Sequence, residues 1–163
     1  MPRRDLKQLS DDAYIWIFGV SPSLDEAKEV KLLQRVDAFL ANWAAHGQPI
    51  DSARDLVEGT FLIVAAEKTS ERSGCSIDRL FGTLRQLEQE LGVSILDANR
   101  VFFRHGDGRL DAMSRAEFRE KGDPHTTVFD TTVLTLGEIR SGAWERRAQD
   151  SWHRDLLKKP AAV

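Results

Sequence analysis

The stretch SERSGCSID (residues 70–78) holds the only cysteine of the chain, Cys75, just ahead of a helical pattern. A thiol beside a helix N-terminus has its thiolate favoured by the aligned N–H groups, and Arg72 adds a positive charge. Gly74 permits a tight turn, Ser76 can cap the helix, and Asp78 in the first turn suits its dipole. Such a set suits a nucleophilic or redox thiol with oxyanion-stabilising donors. It also suits an anion site in which Arg72, Ser73, Gly74, Ser76 and Asp78 share a rim with Ser21 and Ser23 at a second helix start. The plainer alternative is a small packing residue, because free cysteine is among the most buried types. Asp78 also opposes activation, since a nearby carboxylate raises a thiol's pKa.

A cysteine nucleophile needs a base, and the chain offers His46, His105, His125 and His153. His46 would close a helix of about 22 residues, which carries it some 33 Å from the Cys75 end; there it can cap the helix C-terminus as a cation. His105 falls in a hairpin turn and His125 in a loop. By elimination His153, in DSWH, is the candidate base, with Trp152 as anchor and Asp150 or Asp155 to orient the ring. Asp130, in FDTT, shares the rim of Cys75 if its strand runs parallel to the earlier ones. The alternatives are a surface tail pinned by one tryptophan for His153 and an ordinary cap for Asp130.

Other chemistry lacks its motif. No phosphate-binding G-x-x-x-x-G-K-[ST], G-x-G-x-x-G, C-x-x-C or H-E-x-x-H occurs. HGDGRLD (residues 105–111) fits a hairpin better than a calcium loop. A metal site of Cys75, His153 and Asp130 has no local spacing behind it, so neither metal nor cofactor is expected. Trp144 and Trp152 lie among charges, and in a non-catalytic interaction module they would be exposed anchors for a partner or a second copy.

Several elements must position these groups. The apolar run at residues 13–20 suits a strand buried on both faces, and so does GTFLIVAAE (residues 59–67). Between them Ser23 and Glu26 read as a capping box. Val30, Leu33, Val36, Leu40 and Trp43 follow as one helical stripe that stops at Gly47. Ile77, Leu80, Phe81, Leu84, Leu87 and Leu91 line a second helix ended by Gly92. VSIL and RVFFR read as short strands, the latter in a hairpin with residues 109–113 through the HGDGR turn. SRAEFREKG is a capped short helix, TTVFD a strand, and TLGEIRSG one or two helical turns. A crossover between the first two strands would make them parallel. The expected fold is α+β, a single domain over residues 1–163 with a mixed sheet, two main helices and frayed ends at about 1–11 and 156–163. Pure α/β is the alternative.

Composition narrows the partners. With 23 basic and 26 acidic residues the net charge is −3, which gives no basic excess to track nucleic acid. The longest apolar run is too short to span a bilayer, and residues 1–12 lack the apolar core of a secretory signal. A lone cysteine suits a reducing compartment. These features point to a cytoplasmic protein, with a small anionic ligand as candidate partner and a homo-oligomer left open.

The stretches YIWIF, FLANWAAHG, FLIVA, SGCSID, VFDTT and DSWH, in this order from residue 14 to 153, together resemble a family of small uncharacterised bacterial proteins. Members often carry the label ABC transporter ATPase, although this chain has neither a Walker A loop nor a signature motif for a partner domain. The resemblance implies a compact domain of the bacterial cytosol and supplies no activity. It marks Trp43, His46, Gly74, Cys75, Ser76, Asp78, Asp130, Trp152 and His153 as recurrent pieces.

Overall fold

The computed structural model describes residues 5–68 and 73–158, so Arg72 lies outside the described residues. In chain order the elements are β1 (Tyr14–Gly19), α1 (Glu26–Ala41), β2 (Ala44–Ala45), β3 (Gln48–Pro49), β4 (Ser52–Val57), β5 (Phe61–Ala66) and α2 (Gly74–Leu91). Then come β6 (Arg100–Arg104), β7 (Leu110–Ser114), α3 (Arg115–Lys121), β8 (Thr127–Phe129), α4 (Leu136–Arg140) and β9 (Glu145–Arg147). Two 3-10 turns, Ala148–Asp150 and Trp152–Leu156, follow. The fold is α+β, as the sequence predicts. Its strands are divided between a sheet of order β1-β5-β4 and a sheet of order β7-β6-β8-β9, with β2-β3 as a small separate hairpin.

The central strand β5 is FLIVAA, and every residue in it is buried. Side chains alternate across a strand, so β5 needs cover on both faces and obtains it from two different layers. Leu62, Val64 and Ala66 face α1 and α2, whose Leu32, Val36, Leu40, Leu80, Leu84 and Leu87 complete that core. Phe61, Ile63 and Ala65 face the second sheet, meeting Phe102, Phe129 and Trp144. The strands of the second sheet alternate likewise. Val101, Phe103 and Val128 point away from the first sheet into a third core closed by Phe118 of α3 and by Leu156 and Leu157. The layers therefore run helices, sheet, sheet, then α3 with the C-terminal turns.

The predicted parallel pairing does not form. β1 and β4 both pair antiparallel with β5, in registers Gly19↔Phe61 and Ser52↔Ala66. β4 escapes the sequence pattern because SARDLV has no apolar run. It folds back on β5 through the three-residue connection 58–60, in which Glu58 and Gly59 both have positive φ (53° and 61°) and the Thr60 amide donates to the Val57 carbonyl. The chain does cross over from β1 through α1 to a strand of the same direction, but that strand is β4, and β5 lies between them.

Further expectations shift in detail. Asp25, not Ser23, caps α1, accepting from the Lys28 amide at 2.8 Å, while the Ser23 hydroxyl lies 2.8 Å from that of Thr60. α1 stops at Ala41, so His46 and Gly47 form the turn between β2 and β3. Val30 is 52% exposed and Leu32 takes its place in the buried stripe. VSIL supplies one bridge, Ser94 to Ser21, and no strand. The ends are docked rather than frayed where described. Leu9 is buried, and Arg140 holds the carbonyls of Leu6 and Leu9. At the other end, Leu156 and Leu157 pack on the third core.

Arg104 ties the two sheets at one end. It bonds both Glu58, in the β4–β5 turn, and Glu145 of β9, with closest approaches of 2.6 and 2.8 Å, and lies over the Phe129 ring. Its hydrogen bond holds the Glu58 carboxyl below the usual carboxylate range, against the opposing effect of burial.

Between the sheets, the Phe61 ring lies 4.8–5.0 Å from those of Phe129, Trp144 and Phe102. A Phe61→Ala substitution is expected to cost about 3–5 kcal/mol. A urea titration followed by circular dichroism reads that loss as a fall in the midpoint.

Candidate functional site

The segment around Cys75 is a well-made helix start. Ser73 is the N-cap: its hydroxyl accepts from the Ser76 amide at 3.1 Å. In return the Ser76 hydroxyl accepts from the Ser73 amide at 3.0 Å and donates to the Ser73 carbonyl at 2.7 Å. Ser76 is fully buried, and its own carbonyl accepts from the Trp43 indole at 2.9 Å. The predicted roles therefore move by one position or more. Ser73 caps instead of Ser76, Gly74 is an ordinary first helical residue, and Cys75 sits inside the first turn. The Ser76 hydroxyl and amide are committed to the cap, which leaves neither for an oxyanion. Cys75 and Asp78 are exposed.

The antiparallel sheet also separates the two helix starts. α1 begins beyond the Gly19 end of β1, and α2 begins beyond the Ala66 end of β5, which is paired with Tyr14. Ser21 and Ser23 are thus at the opposite end of the sheet from Cys75, and no shared anion rim forms. The same geometry reverses the expectation for His46. α1 and α2 run antiparallel, with Arg35 beside Glu90 at one end and Ala44 accepting from Arg79 at the other. The turn bearing His46 lies near the start of α2, and His46 is exposed there.

His153 and Asp130 are in a different layer. His153 is 2% exposed, stacks on Trp152 at 4.0 Å and meets the Phe118 edge at 6.1 Å in the third core. Its Nδ1 lies 2.7 Å from the Ser151 hydroxyl. Burial pushes its pKa down to about 4, the nearby Arg115 and Arg146 adding to the shift and Asp130 opposing it. Asp130 directly follows β8 and accepts from the amide and hydroxyl of Thr132. The first sheet stands between Asp130 and the helix layer that carries Cys75, and both sheets, stacked at about 10 Å, stand between that layer and His153. The structure does not bring Cys75, His153 and Asp130 together as a nucleophile, base and orienting acid, nor as metal ligands. Among the described residues no group of three or more His, Cys, Asp or Glu side chains is arranged to hold a metal ion. Trp144 is not an exposed anchor either, being 6% exposed between the sheets.

What the structure does assemble is a cleft of about 340 Å³ along β1, at the lower end of the range for small-ligand pockets. β1 is an edge strand. Its floor position is framed by residues 95–98 on one side and 131–134 on the other, with Phe81 and Phe102 as aromatic walls. Glu88 holds the first frame, its carboxylate accepting from the amides of Ile95 and Leu96 at 2.7 and 2.9 Å. At the rim Asp97 and Arg100 pair with each other at 3.2 Å. Gly19 is what lets the wall close. A Cβ there would overlap the Phe102 ring, so the backbone and the aromatic ring meet directly. One isolated glycine at the end of an apolar strand pattern was the sequence signal for this approach; nothing local marked residues 95–98 or 131–134.

Compared with known protein families, with curated proteins and with solved structures, this chain shows no match. Among the described residues no helix is long and apolar enough to cross a membrane.

The buried His153 makes a pH signature. Its folded pKa lies below the unfolded value of 6.5, so between those limits the unfolded chain binds the proton and the native state does not. Stability is complete above about pH 6.5 and falls as the pH drops towards 4. The loss is on the order of 3 kcal/mol once the pH is below 4. A His153→Gln variant, tracked by thermal unfolding at several pH values, should show a flatter decline across that window. An equally steep decline would exclude His153 as its source.

Proposed function

We propose that this protein is a binding domain that takes a largely apolar ligand into the cleft beside β1. The observation that carries this reading is the coincidence of an edge strand, an apolar-walled cleft of ligand size and a rim whose charges, Asp97 and Arg100, are already paired with each other. Polar rims around concave apolar walls favour uptake of apolar groups with few directional contacts. The separation of Cys75 from His153 and Asp130 supports binding over thiol chemistry built on those three residues, and the committed Ser73 and Ser76 argue against an anion held at the start of α2. A bacterial cytosolic setting, which the resemblance implies, is part of the same proposal.

The test uses decanoate as a small apolar probe, titrated into 15N-labelled protein. Amide shifts are expected to cluster at residues 15–19, 95–98 and 131–134. Leu96→Glu, which puts a charge on the cleft wall, should weaken the probe at least tenfold. Cys75→Ala should leave it unchanged. Shifts centred on residues 73–78 instead, or equal binding by Leu96→Glu, would overturn the cleft reading.

A further inference from the structure

The backbone of β1 has one row of hydrogen-bonding groups turned towards the cleft, and the row is open in its middle. Val20 donates to Thr60 across to the β5 side, whereas Ile15 donates to Leu134 and Ser21 to Ser94 on the other side. Alternation along a strand then turns the N–H and C=O of Ile17 and Gly19 away from β5. Among the described residues neither has a partner on that side. The closures at the two ends are the antiparallel bridges Tyr14↔Thr135 and Ser21↔Ser94. Between them stand two donors and three acceptors: the carbonyl of Ile15 and both groups of Ile17 and Gly19. They repeat at about 6.8 Å, two residues of strand.

That array restricts the ligand. A fatty chain would fill the apolar walls and leave the row unmatched, at a cost for each group removed from water. An extended peptide has complementary groups at the same repeat. A second copy pairing β1 to β1 would need both edges within about 4.8 Å, and framing segments on both sides of each edge prevent that approach.

From the open row we infer that the occupant of the cleft is an extended peptide segment of about four residues, added to the sheet as a strand beside β1. This rests on the cleft reading above and names its ligand class. Because side chains alternate, one set of peptide residues faces Phe102 and Val133 between the sheets and the other faces Phe81 and Leu96 on the helix side. Both sets meet apolar walls, so the segment is apolar at successive positions and not merely on one face. Leu134 marks the entrance: it is 68% exposed, one of two large apolar side chains so exposed among the described residues, and it belongs to the cleft rim. The paired Asp97 and Arg100 impose no net charge on the segment.

The experiment is an array of acetylated, amidated hexapeptides with apolar cores, followed by amide exchange on the 15N-labelled protein with the tightest binder. In the free protein the amides of Ile17 and Gly19 should exchange faster than those of Trp16 and Phe18, which face β5. Bound peptide should slow Ile17 and Gly19 at least tenfold and leave Trp16 and Phe18 as they were. Leu134→Glu, an exposed position whose side chain has no role in the core, should weaken the peptide several-fold. N-methylating alternate amides of the peptide should abolish binding in one register and spare it in the other. If no hexapeptide binds, or if the bound one leaves Ile17 and Gly19 exchanging as before, the inference is overturned. Decanoate then separates the two readings: its shifts at the cleft would leave the binding domain standing without a peptide, and their absence would remove both.

Discussion

A strand that buries both of its faces cannot be satisfied by one layer, and β5 is such a strand. Its six residues are apolar and fully covered. At roughly 1.5–3 kcal/mol for each large side chain withdrawn from water, this strand dominates the local energetics. The helices take one face and the second sheet takes the other. The aromatic contacts of Phe61 with Phe102, Phe129 and Trp144 hold that second interface, and Arg104 pins its end through Glu58 and Glu145. Once the second sheet is drawn in, its own outer face needs cover, which α3 and the C-terminal turns provide.

The same constraint decides where chemistry can and cannot occur. With β5 in the middle and antiparallel to both neighbours, the sheet has no common carboxyl end at which the loops before α1 and α2 could meet. The helix starts go to opposite ends. Layering then places Cys75 and His153 on opposite sides of two sheets. Conversely, β1 becomes an edge beside the seam between the sheets, where residues 95–98 and 131–134 pass close without pairing along its whole length. The cleft is the space left where those connections bridge only the two ends of β1.

The elements were largely legible. The stripes of α2, the RVFFR hairpin with its HGDGR turn, and the capped helix from Ser114 appear where periodicity and turn residues put them, because each is held by contacts close in sequence. The cap bond from the Glu117 amide to Ser114 at 3.1 Å is an example. β4 was illegible for the opposite reason. SARDLV has a mixed pattern, and only pairing with β5 makes it a strand. With β4 inserted before it, β5 runs opposite to the direction that a single crossover from β1 implies, and the loops at its two ends exchange places. Local competition explains the smaller shifts: Asp25 caps better placed amides than Ser23, and Trp43, drawn to the Ser76 carbonyl, ends α1 early.

The sequence by itself determined the α+β class, the two long helices, the doubly buried strand and the lack of a recognisable nucleotide or metal motif, since these depend on composition, period and spacing. Only the tertiary structure decided strand direction, the separation of Cys75 from His153 and Asp130, the burial of Trp144 and the cleft at Ile17 and Gly19. Those depend on pairings between residues far apart in the chain, and hydrogen-bonding groups of a strand edge have no side-chain signature to read.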